Sequence, residues 1–434
     1  MAVAAVERCL RSGRPAAGLL SELGSRLSFR DRSLARRLVT LELRWLLRLD
    51  HVIVEASGRE LDHIDSVLLG PLRTGIVQLL FLERVPPHAA VSTSVELAAA
   101  RSRAGSRFVN AVLRKVSAAG ALDAFPVATS DPRQRLAVET SHSRFLVDRW
   151  CDRLGDERAA RSLASNNRDR RASFLVVDGA ARRDAVIEEL ARDGVTARRA
   201  RISPIGVLIE RGDATTTSSY RRGRIYPQDE ASQCAALVPP PDAGETVLDA
   251  AAAPGGKTLG LLAWERAVRI VAADGAVGRL PRLLANRRRC GADFAVVASD
   301  ARGPALGSTF DRVLADLPCS GSGILHKHPE LKWRIGAGEI ERLASEARAM
   351  LEGVVTLVRP GGLLIVSTCS VEPEENEEQV EALLARHPDL ELVDLGECLP
   401  AGLETAVEDR GRWRLHPADE HDGFTVHVLR RAER

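Results

Sequence analysis

The chain has 434 residues, enough for two or three domains, and 45% of them are hydrophobic, so it can bury sizeable cores. It has no apolar stretch long enough to span a membrane, no segment typical of a secretory signal, and seven cysteines without a CxxC pair. This composition argues against a membrane protein, a disulfide framework and a zinc ribbon. We therefore expect a cytoplasmic protein with free thiols, without a membrane partner or a bound metal, and monomeric.

The net charge of +2 hides an asymmetry along the chain. Residues 1–140 carry a net charge of +6, residues 141–235 carry +4, and residues 236–434 carry −8. A basic front half suggests contact with a polyanion such as RNA, although arginines scattered over a solvated surface would give the same count. Only four lysines accompany 57 arginines, so each lysine is a candidate for a position that needs a compact ammonium group.

The front of the chain predicts an all-α domain over residues 1–135. Apolar residues recur at helical spacing over residues 33–49, 67–82 and 91–100, and a further helix is expected from Arg107. Helices are expected to end near residue 120, and the following segment, with Pro126 and Pro132, is expected to be a linker.

Residues 140–235 predict a small α+β domain that binds RNA or links its neighbours. Helices are expected over residues 145–154, 159–165 and 183–193, and strands over residues 172–177 and 205–209. Arginine clusters lie at the boundaries of these elements, at residues 168–171, 198–201 and 221–224.

From residue 236 to 434, apolar strands alternate with segments long enough for helices. Strands are expected over residues 246–250, 269–273, 294–298, 312–315 and 363–367, with possible edge strands over residues 390–394 and 424–429. This alternation predicts an α/β domain built on a parallel sheet of the Rossmann-like type.

A glycine-containing loop follows the first strand of this domain, in the sequence Ala251-Ala252-Ala253-Pro254-Gly255-Gly256-Lys257-Thr258. A phosphate-binding loop would need a glycine where Ala251 stands, and Pro254 lacks the backbone N–H that would contact a phosphate. The loop is not a GxGxxG dinucleotide loop either. Nucleoside-triphosphate and nicotinamide binding are therefore disfavoured.

Three aspartates at the ends of successive strands favour S-adenosylmethionine as the cofactor. Asp249, Asp274 and Asp300 follow the first, second and third strands of the α/β domain. A carboxylate after the second strand is placed to bind a ribose diol, and one after the third can reach an adenine amino group. Each alone could equally be a helix N-cap.

Two cysteines lie just after strands of the same domain. Cys319 belongs to Asp316-Leu317-Pro318-Cys319-Ser320-Gly321, and Cys369 to Thr368-Cys369-Ser370. Because the carboxyl ends of parallel strands meet at one sheet edge, the two thiols suggest group transfer through a covalent sulfur adduct. Free cysteines are more commonly buried small hydrophobic residues, the role expected for Cys9, Cys151, Cys234, Cys290 and Cys398. A metal site from Cys319, His326 and His328 matches no zinc spacing.

Together the glycine loop and the two cysteine motifs resemble the RNA cytosine-5 methyltransferases. The segment from Arg107 to Arg114 looks like the closing helix of a NusB-like RNA-binding domain, and that fusion resembles the Sun/Fmu (RsmB) branch, which modifies small-subunit (16S) ribosomal RNA. Further matches are Tyr226 to Gln233, His328 to Trp333, and Asp422 to Phe424.

The resemblance implies a role for each site residue. Cys369 is expected to be the nucleophile, Cys319 to assist product release, Asp316 to hold the N3/N4 edge of the cytosine, and Lys257 to support Asp316. Cofactor contacts are expected from Ala251, Ala252, Ala253, Pro254, Gly255, Gly256, Lys257, Asp274, Asp300 and Asp316.

Other functions remain open at this point. Transfer RNA could be the substrate, although a NusB-like domain argues against it. DNA cytosine methylation is disfavoured, because those enzymes place the nucleophile in a Pro-Cys motif. The protein could also be a ribosome-assembly or antitermination factor with a dead methyltransferase domain, against which the intact Asp316, Cys319 and Cys369 argue.

Overall fold

The computed structural model of the protein describes residues 1–25, 27–396, 398–409, 411–418 and 420–433. These residues form two compact units. The helical unit comprises residues 1–168 and 325–336, and the sheet unit comprises residues 169–324 and 337–434. Within the described residues, no helix is both long and apolar enough to cross a membrane.

The helical unit confirms the predicted all-α front of the chain. Its helices are α1 (Ala2–Ser12), α2 (Ala16–Leu23), α3 (Phe29–Ser57), α4 (Ser66–Phe81), α5 (Pro87–Ala99), α6 (Gly105–Ala119), α7 (Pro132–Thr140), α8 (Arg144–Leu154) and α9 (Asp156–Ser165). One apolar core, with Leu43, Ile53, Leu72 and Leu113 fully buried, unites α3, α4 and α6.

The expected linker after residue 120 contains the start of a helix. Pro132 is the first residue of α7, and the side chain of Asp131 accepts hydrogen bonds from the backbone N–H groups of Arg133 and Gln134. Proline is favoured at a helix N1 position because its missing N–H would have no partner there. The proline therefore marks a helix start rather than an irregular segment.

Residues 325–336 complete the helical unit from a distant part of the chain. The Lys332 ammonium is buried and donates to the carbonyl oxygens of Arg44 (3.0 Å) and Ser141 (3.2 Å) and to Oδ1 of Asn167 (2.5 Å). Trp333 Nε1 donates to the Leu43 carbonyl over 2.8 Å. Three acceptors match the three N–H bonds of an ammonium group. Burial and the charge of Arg44 lower the pKa of Lys332 well below its usual value, so this lysine has a structural position held by hydrogen bonds rather than by an ion pair.

The sheet unit begins with a small antiparallel sheet. Its elements are β1 (Ser173–Val176), α10 (Arg183–Arg192), β2 (Thr196–Arg199), β3 (Gly206–Arg211), α11 (Ser218–Arg221), β4 (Ile225–Pro227) and α12 (Glu230–Ala235), with strand order β2-β3-β1-β4. The sequence prediction missed β2 and β4, because β2 reads Thr-Ala-Arg-Arg and lacks an apolar pattern, and β4 has only three residues.

The larger sheet confirms the predicted alternation. Its elements are β5 (Thr246–Asp249), α13 (Gly256–Trp264), β6 (Arg269–Asp274), α14 (Leu280–Arg289), β7 (Ala295–Ala298), β8 (Phe310–Asp316), α15 (Ala337–Val355), β9 (Val358–Thr368), α16 (Glu377–Arg386), β10 (Leu390–Leu392), β11 (Val407–Asp409), β12 (Arg412–Leu415) and β13 (Phe424–Arg431). Its described strands lie in the order β11-β12-β13-β9-β8-β5-β6-β7, and β10 also pairs with β13.

The central strands are parallel and buried on both faces. β5 pairs in parallel with β6 and β8, β6 with β7, and β8 with β9, whereas β13 runs antiparallel to β9. Along β8, Val313 and Ala315 pack into one core and Leu314 into another, as the alternation of a strand requires. The expectation of an edge strand over residues 424–429 is wrong, because β13 lies between β12 and β9.

The small sheet and the large sheet share one hydrophobic core. Leu175, Ile205 and Tyr226 belong to the same buried cluster as Val247 and Leu314. The division predicted at residue 235 therefore crosses a continuous core, and whether residues 140–235 act as a separate domain stays a prediction.

Candidate active site

The carboxyl ends of β5, β6 and β8 border a cavity of about 460 Å³. Its lining residues include Ala251 and Ala253 after β5, Asp274 and Asp316 at the ends of β6 and β8, and Asp300 after β7. A volume of this size is within the range of small-molecule sites. Parallel strands bring their ends to one edge, so residues far apart in sequence converge here.

The glycine loop reaches the start of α13 through a backbone that only glycine adopts without strain. Gly255 has a φ of 108°, and a Cβ there would lie 2.9 Å from Leu283 Cδ1. A Cβ on Gly256 would lie 3.1 Å from Gln228 Cδ, so this glycine lets the loop pack against the residues that follow β4. Gly255 thus provides the turn, while Ala251 and Ala253 face the cavity.

The Asp274 carboxylate accepts hydrogen bonds from the backbone of the glycine loop and of the residues that follow β6. Its Oδ2 accepts a hydrogen bond from the Ala253 N–H over 3.1 Å, and its Oδ1 accepts one from the Ala276 N–H over 2.8 Å. The Arg279 guanidinium lies 3.4 Å from Oδ1. Each carboxylate oxygen has two lone pairs, so Asp274 can still accept from a ligand in the cavity that it lines.

Asp300 is already paired with a residue that the sequence analysis missed. Arg302 approaches it in a bidentate manner, with Nε 3.0 Å from Oδ1 and Nη2 2.6 Å from Oδ2. The hydrogen bonds from Arg302 lower the pKa of Asp300 to about 2. Both side chains line the cavity, so a ligand group that binds Asp300 shares it with a guanidinium. The Asp-x-Arg spacing is the signal that could have identified Arg302.

Lys257 and Asp316 form an ion pair at the base of the site. Lys257 Nζ lies 2.7 Å from Asp316 Oδ2, and Asp316 Oδ1 accepts a hydrogen bond from Ser367 Oγ over 2.9 Å. Burial acts to lower the pKa of Lys257, but the charge and hydrogen bond of Asp316, together with the charge of Asp249, act against burial and the pKa is raised. The ammonium also lies 4.9 Å from the ring centroid of Phe424. Lys257 is therefore a cation whose position is fixed from two sides.

The two cysteines meet at the ends of neighbouring strands. Asp316 on β8 is in register with Ser367 on β9, and Cys319 and Cys369 follow these residues by three and two positions. Their Sγ atoms lie 3.4 Å apart. The pKa of the Cys319 thiol is raised well above its usual value, first by its hydrogen bond with Cys369, then by burial and by the charges of Glu375 and Asp316. Of the two sulfurs, Cys319 thus has an environment that favours its protonated form.

Backbone contacts fix the two cysteine loops to each other. The Gly323 N–H donates to the Cys369 carbonyl over 3.0 Å, and the Gly423 N–H donates to the Gly323 carbonyl over 2.7 Å. A Cβ on Gly323 would lie 2.3 Å from the Gly423 oxygen, so no other residue fits there. This packing brings Gly423 to the cysteine loops, although it lies far from both cysteines in sequence.

Glu375 is a second site residue that the sequence analysis missed. It is buried, and its Oε1 and Oε2 accept hydrogen bonds from the Ser320 N–H (2.6 Å) and the Ser320 hydroxyl (2.7 Å). Burial raises its pKa, which hydrogen bonds from Ser370 and Ser320 act to lower. Several acidic residues follow Cys369 from Glu372 onward, and nothing in the sequence distinguishes Glu375 from the others.

A second cavity of about 160 Å³ lies beside the ion pair. It is lined by Lys257, Asp316, Tyr226 and Gln228, among others. Gln228 Nε2 donates to Ser232 Oγ over 3.1 Å, while its buried Oε1 has no hydrogen-bond partner among the described residues. Buried carbonyl oxygens are normally satisfied, so Gln228 is a candidate contact for a polar ligand in this cavity.

The remaining cysteines are not all buried. Cys9, Cys151 and Cys234 are buried, as expected, but Cys290 is half-buried and Cys398 is exposed. Among the described residues, no group of three histidine, cysteine or acidic side chains is placed to hold a metal ion.

Many arginines of the three boundary clusters are engaged in ion pairs. Arg170 pairs with Asp422 over 2.7 Å in a buried position. Arg199 pairs with Asp184, and Arg224 with Glu189. Fewer arginines of these clusters can therefore contact a polyanion than their number alone suggests.

Comparisons with known proteins extend these observations over nearly the whole chain. Residues 236–430 match the family described as 16S rRNA methyltransferase RsmB/F, and residues 1–118 match the NusB family. A probable ribosomal RNA small subunit methyltransferase B of Bacillus subtilis is 30% identical, covering 93% of this chain and 92% of the relative. Ribosomal RNA small subunit methyltransferase B of Pseudomonas putida is 33% identical, with 91% and 89% covered.

Solved structures agree with the fold. A methyltransferase homolog protein from Pyrococcus horikoshii has a TM-score of 0.58 and 28% identity, covering 70% of this chain and 100% of that structure. NSun6 from Pyrococcus horikoshii, solved with SFG, has a TM-score of 0.59 and 21% identity, with 67% and 99% covered. This second likeness supports the fold alone.

Proposed function

The chain belongs to the family of RsmB/F methyltransferases, and from this premise we propose that it methylates C5 of a cytosine in small-subunit ribosomal RNA through a covalent cysteine adduct. The observation that carries the proposal is the pair of thiols 3.4 Å apart beside the Lys257–Asp316 ion pair. The predicted family, the NusB-like domain and the methyltransferase fold are confirmed.

S-adenosylmethionine is the cofactor of this methyltransferase, and it supplies an electrophilic methyl group when bound. The cavity has acceptors for the polar groups of this cofactor: the Asp274 carboxylate is fixed and has free lone pairs, and Asp300 is ionised at neutral pH. We place the ribose diol on Asp274 and the adenine edge near Asp300 and Arg302. Asp300 and Arg302 would then exchange part of their contact with each other for contacts with the cofactor.

Addition to the base is assigned to Cys369. Its thiolate attacks C6 of cytosine, so an S–C6 bond forms while the electrons of the C5–C6 double bond move into the ring. N3 takes up a proton as this electron pair shifts onto it, Asp316 accepts hydrogen bonds from the protonated N3/N4 edge, and Lys257 orients Asp316. C5 becomes nucleophilic and takes the methyl group.

Product release is assigned to Cys319. In its thiolate form it removes the proton from C5, the C5–C6 double bond re-forms, and the C6–S bond breaks to release Cys369 as a thiolate. The raised pKa of Cys319 has two consequences: the group stays protonated while Cys369 attacks, and its thiolate is a stronger base. The two sulfurs therefore have different tasks because their surroundings differ.

Bisulfite sequencing of 16S ribosomal RNA tests this proposal. Cells with and without the gene are compared, and a deletion strain is complemented with the wild-type gene or with Cys369→Ala. We expect one cytosine to lose its protection from conversion in the deletion strain and in the Cys369→Ala strain. An unchanged conversion pattern in the deletion strain would overturn the proposed function.

A further inference from the structure

Glu375 connects the two cysteine loops through the residues that directly follow each cysteine. Ser320 follows Cys319 and donates its N–H and its hydroxyl to the carboxylate, over 2.6 and 2.7 Å. Ser370 follows Cys369 and interacts with Glu375, acting to lower the pKa of that carboxyl group. One carboxylate thus contacts both loops whose sulfurs must act on the same base.

The carboxylate is buried without a cation. Its side chain is fully buried, and in the described part of the chain no lysine, arginine or histidine forms an ion pair with it. Burying a charge without a counter-ion is costly, and hydrogen-bond donors offset only part of that cost. A glutamine could accept the same Ser320 N–H without that penalty. The use of a glutamate therefore points to a role for the negative charge.

The charge acts on the neighbouring sulfur. Glu375 and Asp316 are the two carboxylates that raise the pKa of Cys319, after the hydrogen bond with Cys369 and burial. Asp316 is largely compensated by its ion pair with Lys257 at 2.7 Å. Glu375 has no such compensation, so its field at Cys319 is the less screened of the two.

We propose that Glu375 is a positioning residue that keeps Cys319 in its thiol form while Cys369 attacks the base, and that strengthens Cys319 as the base of product release. This inference rests on the proposed roles of the two cysteines. In this role Glu375 contacts neither the base nor the cofactor, and it acts only through Cys319 and the two cysteine loops.

Further charged and titratable groups lie around the thiol pair. They are Cys369, Asp316, Lys257, Asp249 and Glu372. Burial raises the pKa of Asp249 to about 6, so its charge varies near neutral pH. The effect of Glu375 on Cys319 ionisation is therefore the difference between variants measured at the same pH.

The Cys319 thiol loses its proton to solvent after methyl transfer, and the thiolate then takes the C5 proton as the C6–S bond breaks. Glu375 neither gains nor loses a proton. The rate of release should thus rise with pH until Cys319 is fully ionised, and that midpoint reports the field of Glu375.

The test measures Cys319 ionisation without RNA. In a Cys369→Ala background, the rate of Cys319 alkylation by iodoacetamide is followed against pH, with each cysteine resolved by mass spectrometry. Glu375→Gln should lower the midpoint by about one pH unit, which is a tenfold faster alkylation at a fixed pH below it. Glu375→Asp keeps the charge and should leave the midpoint in place. Glu378→Gln, an exposed position on the same segment, is the matched control.

An unchanged midpoint in Glu375→Gln overturns the inference, whatever the protein methylates. If the midpoint shifts but release of the methylated RNA keeps its pH profile, the assigned role of Cys319 fails instead. Melting curves report whether Glu375→Gln folds. If Glu375→Gln does not fold, the Cys319 midpoint is compared between Glu375→Asn and Glu375→Asp, which differ in charge at the same, shorter side-chain length.

Discussion

Cys319 Sγ lies 3.4 Å from Cys369 Sγ, although 50 residues separate the two in sequence. The distance follows from the pairing of β8 with β9, which sets Asp316 opposite Ser367. Two sulfurs this close cannot both be ionised at low cost, because like charges at short range repel. The doubly ionised form of the pair is therefore disfavoured.

We predict that Cys369→Ala abolishes methyl transfer and the formation of covalent RNA adducts. Cys319 could not replace it, because its environment favours the thiol over the thiolate. The measurement is incorporation of labelled methyl groups into 16S ribosomal RNA, together with denaturing gels. Turnover within a few-fold of wild type would remove Cys369 from the nucleophile role. Cys398→Ala, an exposed cysteine, is the matched control.

We predict that Cys319→Ala accumulates a protein–RNA adduct that survives a denaturing gel. Cys369 can still add to C6 and the methyl group can still transfer, but no thiolate remains to remove the C5 proton. The adduct should require S-adenosylmethionine to persist. If this variant forms no adduct, as expected for Cys369→Ala, the two cysteine roles must be exchanged.

Asp274→Asn should weaken S-adenosylmethionine binding by on the order of 1–3 kcal/mol, the range for a hydrogen bond to a charged group. The amide retains one acceptor for the loop but loses the charge that a ribose diol would bind. Isothermal calorimetry measures the change. Asp293→Asn, at a fully exposed carboxylate, serves as the control. Equal affinities in both variants would show that the diol does not bind Asp274.

The stability of the helical unit should depend on pH through Glu42. Burial raises the pKa of Glu42 from 4.5 to about 7, and its Oε1 has no hydrogen-bond partner among the described residues. The folded state therefore binds a proton more tightly than the unfolded state. The stabilisation is complete below pH 4.5 and is lost as the pH rises through about 7.

Glu42→Gln should accordingly be more stable than wild type at pH 8, by on the order of 1–3 kcal/mol, and near wild type at pH 5. Thr74 Oγ1, 2.8 Å from Glu42 Oε2, can still donate to the amide oxygen. Thermal melts at the two pH values give the comparison. Equal melting temperatures at pH 8 would mean that Glu42 is not a buried acid.

RNA binding should weaken steeply with salt, because phosphate contacts release counter-ions. We expect Arg222→Ala, at an exposed position, to reduce the slope of log K against log salt by roughly one. Arg199→Ala should change it less, because Arg199 pairs with Asp184. Filter binding at several salt concentrations gives the slopes. Equal effects of the two variants would show that ion pairing does not limit the RNA surface.

The sequence predicted what depends on local pattern and chain order. Alternating strands and helices specified the parallel sheet, and strand ends placed Cys319 and Cys369 at one edge. It could not predict Glu375, because the role of this residue arises from its pairing with Ser320 in the folded chain, whereas the spacing of Arg302 from Asp300 was a usable signal. β2, with two arginines in four residues, forms by pairing with β3 rather than by its own propensity.

The position of residues 325–336 limits how this protein can be divided. The helical unit takes Lys332 and Trp333 from a segment that follows Cys319 in the chain, and both make hydrogen bonds to its helices. A fragment ending at residue 168 would lack these partners, and one beginning at residue 236 would lose Leu175 and Tyr226 from its core. The chain is therefore not a series of interchangeable modules, and its parts cannot be exchanged between relatives by a single cut in the gene.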